Sequence, residues 1–429
     1  MLSRRHVAAL VDLAGDRVRI APVDVDWPSH RDLVAAAGDP GAVLVAPPLR
    51  EDDGTVVDVL RWSGVETAGD RWQRLDDEVD LPAPARRTLL DRVAELRGSA
   101  PDDGRQQWFM PGWFDGVRAW VDRELAARGD VRLDDGEIGQ MWSLSVVVRF
   151  GVRSPDGADG VVRDVWFKAT CTGFAAEPVL TAWVAGLAAS RVPTILALDA
   201  DRAWMLLEAF SEDAEPSADS VGTLAAELAR LQLASRHRID ALLAAGAPER
   251  GEEATVVGLR ELIRSGVERD TMTEAQRVAA ADAEPWMAAK VAELHGLGLP
   301  LTLVHGDLHL GNATHHSDGP VIFDWTDACV AHPYLDARHL ARSVAQQLDA
   351  DAAETVREAY LEPWREAYPA VDHDRAWELT DTAERVFTLL SYEDIYRAQP
   401  EWARWELATV TVDLLDKLVD QRERELTPR

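Results

Sequence analysis

Two aspartates and an asparagine lie close together late in the sequence, in an order suited to phosphoryl chemistry. Asp307 and Asn312 belong to one loop rich in Gly and His, and Asp324 follows the apolar run 321–323. An aspartate can accept or orient the proton of an attacking hydroxyl group. Asn and Asp oxygens are hard ligands of the kind that Mg²⁺ prefers. The spacing therefore predicts Asp307 as the catalytic residue and Asn312 and Asp324 as metal ligands.

The residues around this loop resemble a known family. His305-Gly306-Asp307, followed by Asn312, is similar to the His-Gly-Asp-x-x-x-x-Asn loop of the aminoglycoside phosphotransferase and choline kinase superfamily. Ile322-Phe323-Asp324-Trp325 resembles the family's metal-binding strand end. The resemblance is strong over 303–339 and weaker over the rest of 106–429. It implies a protein-kinase-like fold and an ATP- and Mg²⁺-dependent transferase acting on a hydroxyl group of a small molecule.

The resemblance also implies a strand lysine that binds phosphates and a helix glutamate that pairs with it. Only three of the 45 Lys and Arg residues are lysines, and one of them, Lys168, ends a predicted strand. A chain that uses Arg almost everywhere keeps Lys where a compact ammonium group is needed, or by chance. We therefore expect Lys168 to hold the nucleotide phosphates and Glu177, at the start of the next helix, to pair with it.

Two further segments complete the expected nucleotide site. The segment 205–210, which includes Glu208 and Phe210, resembles the hinge whose backbone binds adenine. The phosphate-covering loop departs from the glycine-rich pattern of protein kinases, because the candidate segment is 139–145. In that loop Ser143 and Ser145 are the expected phosphate contacts.

The acceptor site is expected among the C-terminal helices, as the resemblance implies. Acids beside aromatic residues could bind ammonium groups or sugar hydroxyls there. An amino sugar or an aminoglycoside is the favoured acceptor, and a neutral sugar or an amino alcohol remains an alternative. The candidate acceptor-binding residues are His309, Glu393, Asp394, Trp402 and Glu406.

Charge and composition narrow the classes of partner. The formal net charge of −30 argues against binding to nucleic acid or to an anionic membrane surface, and an acidic field would attract a cationic substrate. The two cysteines, Cys171 and Cys329, allow no disulfide framework beyond a single bridge, which favours a reduced, cytoplasmic compartment. The oligomeric state is left open.

The chain is expected to fold as an α+β protein with a bilobal, kinase-like arrangement. Residues 1–104 form a predicted strand-rich appended domain, 105–210 a small antiparallel-sheet lobe for the nucleotide, and 211–429 a large helical lobe. The helical lobe is expected to contain the catalytic loop and the acceptor site. Long amphipathic stretches predict its helices, and 301–304 and 321–323 predict two short strands around the loop. The predicted helices cover 223–243, 275–294, 336–348, 351–368, 374–396 and 402–426.

Two other interpretations remain open. In one, the chain is a non-catalytic kinase-like binding module, although such modules lose an aspartate of the site and this sequence keeps Asp307 and Asp324. In the other, histidines around the loop ligate zinc in a metallohydrolase. That hypothesis leaves Asn312 and Lys168 without a role. The histidines concerned are His305, His309, His315 and His316.

Overall fold

The computed structural model describes the chain in eleven ranges and divides it into two units. The first unit comprises Met1–Gly173, Trp204–Leu206 and Ala398–Glu406, and the second comprises the remainder. The sequence also predicts a turn within 155–160 and a linker over 98–104. That turn, His316 and most of that linker lie outside the described residues. The described ranges are 5–25, 28–51, 53–64, 71–76, 78–98, 104–110, 112–154, 161–210, 215–264, 272–315 and 319–427.

The first unit begins with a mixed sheet whose strand order is β3-β5-β1-β2-β6, with β4 also paired to β5. The central strands β1 and β5 are parallel, and their other partners are antiparallel. Alternate apolar residues of these strands pack against Leu89 and Val93 of a long helix. The elements are β1 (Arg5–Asp12), β2 (Arg17–Val23), α1 (His30–Ala37), β3 (Val43–Leu44), β4 (Leu49–Arg50), β5 (Thr55–Arg61), β6 (Gln73–Arg74) and α2 (Ala83–Arg97).

The predicted strand-rich character of this segment is confirmed, but α1 was not predicted from the sequence. Its start is set by a capping box, in which the Ser29 side chain accepts a hydrogen bond from the backbone N–H of Asp32 and the Asp32 side chain accepts from that of Ser29. Its end is set by Gly38, whose φ of 63° suits a residue without a Cβ.

The first unit continues into a second, antiparallel sheet. Strands β9 and β10 pair along their whole length, with Lys168 opposite Val147. Edge-to-face rings of Trp113, Phe167 and Trp204 fill one side of this sheet. The elements are α3 (Trp113–Ala126), β7 (Val131–Arg132), β8 (Glu137–Met141), β9 (Ser145–Ser154) and β10 (Val161–Thr170).

The second unit is mainly helical. Its apolar core joins the helices to a three-stranded sheet of order β13-β15-β14. Along the chain, the first helix of this unit, α4 (Glu177–Ala185), is followed by β11 (Ile195–Asp199) and then by β12 (Trp204–Glu208), of which Trp204–Leu206 belong to the first unit. The remaining elements are α5 (Ala218–Ser235), α6 (Ile239–Ala244), β13 (Glu249–Arg250), α7 (Glu252–Arg264), α8 (Glu274–Gly296), β14 (Thr302–Val304), β15 (Cys329–Ala331), α9 (Tyr334–Gln347), α10 (Ala350–Ala367), α11 (His373–Ala398) and α12 (Val410–Leu426).

The predicted α+β class is confirmed, with a small antiparallel sheet, a helical unit and additional N-terminal strands. Two local predictions in the second half of the chain are wrong. Residues 321–323 form only an isolated bridge between Ala313 and Ile322, and β14 pairs instead with β15. The predicted helix 402–426 is a 3₁₀ turn over Glu401–Glu406 followed by α12. Among the described residues no helix is long and apolar enough to cross a membrane.

Candidate active site

The loop that carries Asp307 leaves the buried strand β14 and is fixed by one carboxylate. Asp336, in the first turn of α9, accepts hydrogen bonds from the backbone N–H groups of His305 (2.7 Å) and Gly306 (2.9 Å). Gln232 donates a third hydrogen bond to the same carboxylate over 3.1 Å. Burial raises the pKa of Asp336, and the hydrogen bonds from the backbone N–H groups of His305 and Gly306 oppose that rise. This carboxylate ties the start of the loop to the helical core.

The Asp336→Ala variant is expected to lower the free energy of unfolding by about 2–5 kcal/mol, because two buried backbone donors lose their acceptor. Chemical denaturation of the full chain measures this change. The matched control is Asp349→Ala, which removes a carboxylate that caps α10 by accepting from the backbone N–H of Ala352. Loss of a surface cap costs about 1 kcal/mol. Equal losses in the two variants would contradict the anchoring role of Asp336.

His305 braces the same loop from inside. Its Nε2 lies 2.9 Å from the carbonyl oxygen of Phe323, and its Nδ1 accepts from the backbone N–H of Asp307 over 3.3 Å. These contacts require the neutral tautomer with the proton on Nε2, because a carbonyl can only accept. Both ring nitrogens are therefore used, and His305 is not placed to ligate zinc.

Gly306 permits the tight path of the loop. Its φ is +89°, and a Cβ at this position would lie 2.4 Å from the carbonyl oxygen of Asp327. Any larger residue would therefore be strained twice, by its backbone conformation and by this contact. The glycine of the His-Gly-Asp motif thus brings the Asp307 segment against the Asp327 segment.

Asp307 presents a half-exposed carboxylate with a histidine near each oxygen. His339 Nε2 lies 3.4 Å from Oδ1, and His309 Nε2 lies 3.8 Å from Oδ2. His309 Nδ1 accepts from the backbone N–H of Gly311, so its proton lies on Nε2, toward Asp307. Burial lowers the pKa of His309, which favours this neutral form. The predicted catalytic residue is therefore positioned by a rigid loop and remains accessible.

Asn312 and Asp324 are brought together by the bridge between Ala313 and Ile322. The Asn312 side-chain NH₂ donates to the carbonyl oxygen of Asp307 over 2.9 Å, which leaves its Oδ1 as the available acceptor. Asp324 has a left-handed backbone (φ 64°), and its Oδ1 accepts from the Thr326 hydroxyl over 2.8 Å. This arrangement offers two hard oxygen ligands from neighbouring segments.

A third carboxylate makes this region strongly acidic. Burial and the nearby charges of Asp307 and Asp324 raise the pKa of Asp327 to about 7. Such a concentration of carboxylates suits a divalent cation, which would offset their repulsion. Within the described ranges no group of three or more His, Cys, Asp or Glu residues is placed to hold a metal by itself. A magnesium ion here would draw further ligands from water and nucleotide phosphates, as Mg²⁺ commonly does.

The expected nucleotide residues are divided between the two units. Lys168 is buried on β10 in the first unit, and Glu177 is buried in the first turn of α4 in the second. Glu208 ends β12, and Phe210 packs its ring 4.7 Å from that of Phe323, next to Asp324. The structure thus connects the predicted hinge segment with the end of the predicted metal-binding segment.

The predicted phosphate-covering loop uses its side chains internally. The Ser143 hydroxyl is fully buried, donates to Glu406 and accepts from the Gln399 NH₂ group over 2.8 Å. Ser145 accepts from the indole N–H of Trp142 over 3.0 Å. The Ser143 hydroxyl is therefore committed to the protein interior, and we do not propose it as a phosphate ligand.

Two residues expected at the acceptor site, Trp402 and Glu406, lie in the first unit. Glu406 is buried and bonds Ser143, and Trp402 packs edge-to-face on Phe109 at 5.8 Å. Both belong to the first unit together with the segment 398–406. Their contacts stabilise the 139–145 loop and the aromatic core of that unit, so we do not retain them as acceptor ligands.

Glu393 and Asp394 do line a cavity, which has a volume of about 210 Å³ in the second unit. Glu393 accepts from Arg397 over 2.8 Å, and Asp394 accepts from Arg250 over 2.9 Å. Glu249 and Glu261 line the same cavity, and within the described part of the chain no ion pair reaches either of them. The full acidic and basic lining consists of Glu249, Glu261, Glu393, Asp394, Arg250 and Arg397.

This cavity is connected to the catalytic loop through the three-stranded sheet. Arg250 on β13 pairs with Ala331 on β15, and β15 pairs with β14, which leads directly into His305. Tyr392 precedes Glu393 in the chain, and burial and the nearby charges of Asp307 and Asp327 raise its pKa to about 12. Arg250, which lines the cavity, lies within electrostatic range of Asp327, because its charge opposes the rise in the Asp327 pKa.

Sequence reasoning missed several residues of this site. His339 follows Asp336 by three positions and so falls on the same face of α9, which is a signal that the pattern contains. Glu384, Glu249 and Glu261 carry no local signal, because they reach the site only through the packing of distant helices and strands.

A loop aspartate beside an asparagine and a second aspartate, all offering oxygen atoms, is the arrangement that kinase-type phosphoryl transfer requires. Residues 161–373 match the model of the Phosphotransferase enzyme family (APH), a segment that includes Lys168, Asp307, Asn312 and Asp324. This segment belongs to that family, and the chain is a small-molecule phosphotransferase. A comparison with curated proteins finds no significant match.

Several solved structures are similar to the chain. A protein assigned as a fructosamine-3-kinase from Thermobifida fusca is 19% identical, with a TM-score of 0.48, and covers 70% of this chain and 98% of its own. The macrolide 2′-phosphotransferase MphH from Brachybacterium faecium is 18% identical, with a TM-score of 0.47, over 69% and 97%. The choline kinase LicA from Streptococcus pneumoniae is 13% identical, with a TM-score of 0.44, over 71% and 98%.

Proposed function

We propose that the chain transfers the γ-phosphoryl group of ATP, with Mg²⁺, to a hydroxyl group of a small cationic acceptor such as an amino sugar or aminoglycoside. The observation that carries this proposal is the placement of Asp307. Its carboxylate is half-exposed on a loop fixed by Asp336, and Asn312 and Asp324 follow on neighbouring segments.

In the proposed reaction the acceptor oxygen attacks the γ-phosphorus while the bond from that phosphorus to the β,γ-bridging oxygen breaks. The acceptor proton passes to Asp307, and ADP leaves with the electron pair of the broken bond. Asn312 and Asp324 would hold Mg²⁺, which neutralises phosphate charge when bound. Such reactions depend on positioning and electrostatic stabilisation, which the braced loop supports.

The remaining nucleotide contacts are proposed from their positions in the chain. Lys168 would bind phosphate oxygens and Glu177 would pair with it, and both side chains are buried as such roles require. The backbone near Glu208 and Phe210 would bind the base. Ser145 remains a candidate phosphate contact.

The acceptor site is proposed at the cavity between β13, α7 and α11. Four acidic residues and two arginines line this cavity, so the net charge of its lining is negative. Carboxylates of this kind can bind ammonium groups, and the excess acids attract a cation from solution. The ring of Phe387, also in the lining, offers an apolar face for the carbon skeleton of a sugar.

The test is a panel of matched acceptors. Purified full-length protein is given ATP and Mg²⁺ with pairs that differ by one amino group, such as glucosamine with glucose, and the ADP formed is measured. An amino compound is expected to have the higher kcat/KM. Preference for the neutral member would overturn the cationic acceptor while preserving the phosphotransferase. Absence of turnover with every hydroxyl compound would favour a non-catalytic binding module.

The electrostatic attraction between the acidic cavity and a cationic acceptor should weaken as ionic strength rises. The Debye length falls from about 20 Å at ~0.02 M salt to about 4 Å at ~0.5 M salt. The KM for the amino acceptor is therefore expected to rise severalfold over this range while kcat changes little. Glu261→Gln should raise KM at low salt, and Glu362→Gln, an exposed residue of α10 outside the cavity, serves as the matched control. A KM that is flat with salt and equal in both variants would contradict the electrostatic account.

A further inference from the structure

His339 lies between two carboxylates that come from different parts of the second unit. Its Nε2 is 3.4 Å from Asp307 Oδ1, and its Nδ1 is 2.9 Å from Glu384 Oε1. His339 is on α9, Glu384 is on α11, and Asp307 is on the catalytic loop. The ring therefore connects the proposed base to the helical core.

The two contacts determine the protonation of the ring. A carboxylate only accepts hydrogen bonds, so a ring that faces one with each nitrogen must donate from both. Burial alone would lower the pKa of His339, but its hydrogen bonds to Asp307 and Glu384 raise that pKa to about 10. At neutral pH the ring is thus an imidazolium with one N–H directed at each carboxylate.

Glu384 is itself firmly held. It is almost completely buried, Arg342 lies 2.6 Å from its Oε2, and the Thr388 hydroxyl donates to its Oε1 over 3.2 Å. Burial would raise the pKa of Glu384, but the His339 bond and the Arg342 charge lower it. An anionic Glu384 fixes the His339 ring plane as well as its charge.

The charged groups around His339 are consistent with a fixed cation. Asp307 and His309 face it from the catalytic loop and Glu384 faces it from α11. Asp336 and Arg342 lie on the same helix as His339. Asp336 interacts with His339 through its charge, and Arg342 pairs with Glu384. The ring is therefore bracketed by more negative than positive charge.

We propose that His339 and Glu384 form a positioning pair that holds Asp307 Oδ1 and turns Oδ2 toward the acceptor hydroxyl. This inference rests on the proposed role of Asp307 and adds to it. His339 touches neither acceptor nor nucleotide in this scheme and acts only through Asp307. One oxygen of the carboxylate is anchored, and the other is presented in a single orientation.

The pair predicts a selective loss of turnover. His339→Leu removes both hydrogen bonds and is expected to lower kcat by about 10- to 100-fold, since a misplaced base loses its alignment. His339→Gln keeps a donor and should retain more of the activity than the Leu variant. Glu384→Gln should also lower kcat. The KM for ATP is expected to stay within about twofold, because the nucleotide contacts are unchanged.

The matched control is His373→Gln. His373 is a buried histidine on α11 that bonds Tyr334 on α9, so it joins the same two helices without contacting Asp307. Its loss should lower thermal stability as much as the His339 variants do and leave kcat near the parent value. A kcat in His339→Leu within twofold of that control would overturn the positioning pair. Loss of ADP formation in the parent itself would instead overturn the proposed function.

A second measurement does not depend on turnover. Nitrogen chemical shifts of ¹⁵N-histidine-labelled protein report the protonation of each ring, and His339→Gln identifies the His339 signals. At pH 8, above the ordinary histidine pKa of about 6.5, the parent is expected to show a doubly protonated His339. In Glu384→Gln the ring should lose its second proton at a lower pH than in the parent. A neutral His339 ring at pH 8 in the parent would refute the pair even if turnover were absent.

Discussion

Asp307→Asn is expected to lower kcat by about 10³-fold while nucleotide affinity stays within about tenfold of the parent. The amide keeps the size of the carboxylate and the loop contacts of Asp336, but it cannot accept the acceptor proton. General-base assistance accounts for about 10²–10⁴-fold of rate in enzymes. Steady-state ADP formation measures the first quantity, and calorimetric titration with ATP and Mg²⁺ measures the second.

The separation of these two effects decides the role of Asp307. A loss of nucleotide affinity above tenfold, which is about 1.4 kcal/mol, would place Asp307 among the nucleotide or metal ligands instead. Retention of more than a tenth of the parent kcat would show that Asp307 does not act on the proton. Thermal unfolding of the variant controls for a general loss of structure.

Asp324→Asn is expected to weaken Mg²⁺-dependent nucleotide binding by at least about tenfold, or about 1.4 kcal/mol, and to lower turnover with it. Asp324 has a φ of 64°, and Asn tolerates this left-handed conformation better than most residues. The substitution therefore removes a charge with little backbone strain. ATP affinity is measured at a series of Mg²⁺ concentrations and again in EDTA.

The EDTA condition is the internal control for Asp324. Without metal, parent and variant should bind ATP equally, because only the metal-mediated contact differs. An unchanged dependence on Mg²⁺ would remove Asp324 from the proposed metal ligands. Equal weakening with and without Mg²⁺ would show that the residue acts on the nucleotide or on the fold.

The sequence predicts much of the helical unit, because amphipathic periodicity there is long and regular. The predicted helices around 275–294, 336–348 and 351–368 match α8, α9 and α10 within a few residues. The region near the catalytic loop was harder to predict. Residues 321–323 are apolar enough for a strand, but β15 occupies the position next to β14.

In the candidate site, too, local features could be predicted from the sequence and long-range contacts could not. The catalytic loop is local, and so its spacing predicts that Asp307, Asn312 and Asp324 lie together. Contacts such as the bond from Ser143 to Glu406 join residues far apart in the chain, and no local pattern encodes them. For this reason Glu406 looks like an acceptor ligand in the sequence and is a buried partner of Ser143 in the structure.

The central claim is that Asp307 directs the γ-phosphoryl group of ATP to an acceptor hydroxyl, and ³¹P NMR tests it most directly. Purified protein is incubated with ATP, Mg²⁺ and the best amino acceptor, and the fate of the γ-phosphorus is followed for the parent and for Asp307→Asn. We expect a phosphomonoester signal to replace the γ-phosphate signal in the parent and to be nearly absent in the variant. Release of the γ-phosphate only as inorganic phosphate, or equal ester formation in both proteins, would contradict the claim.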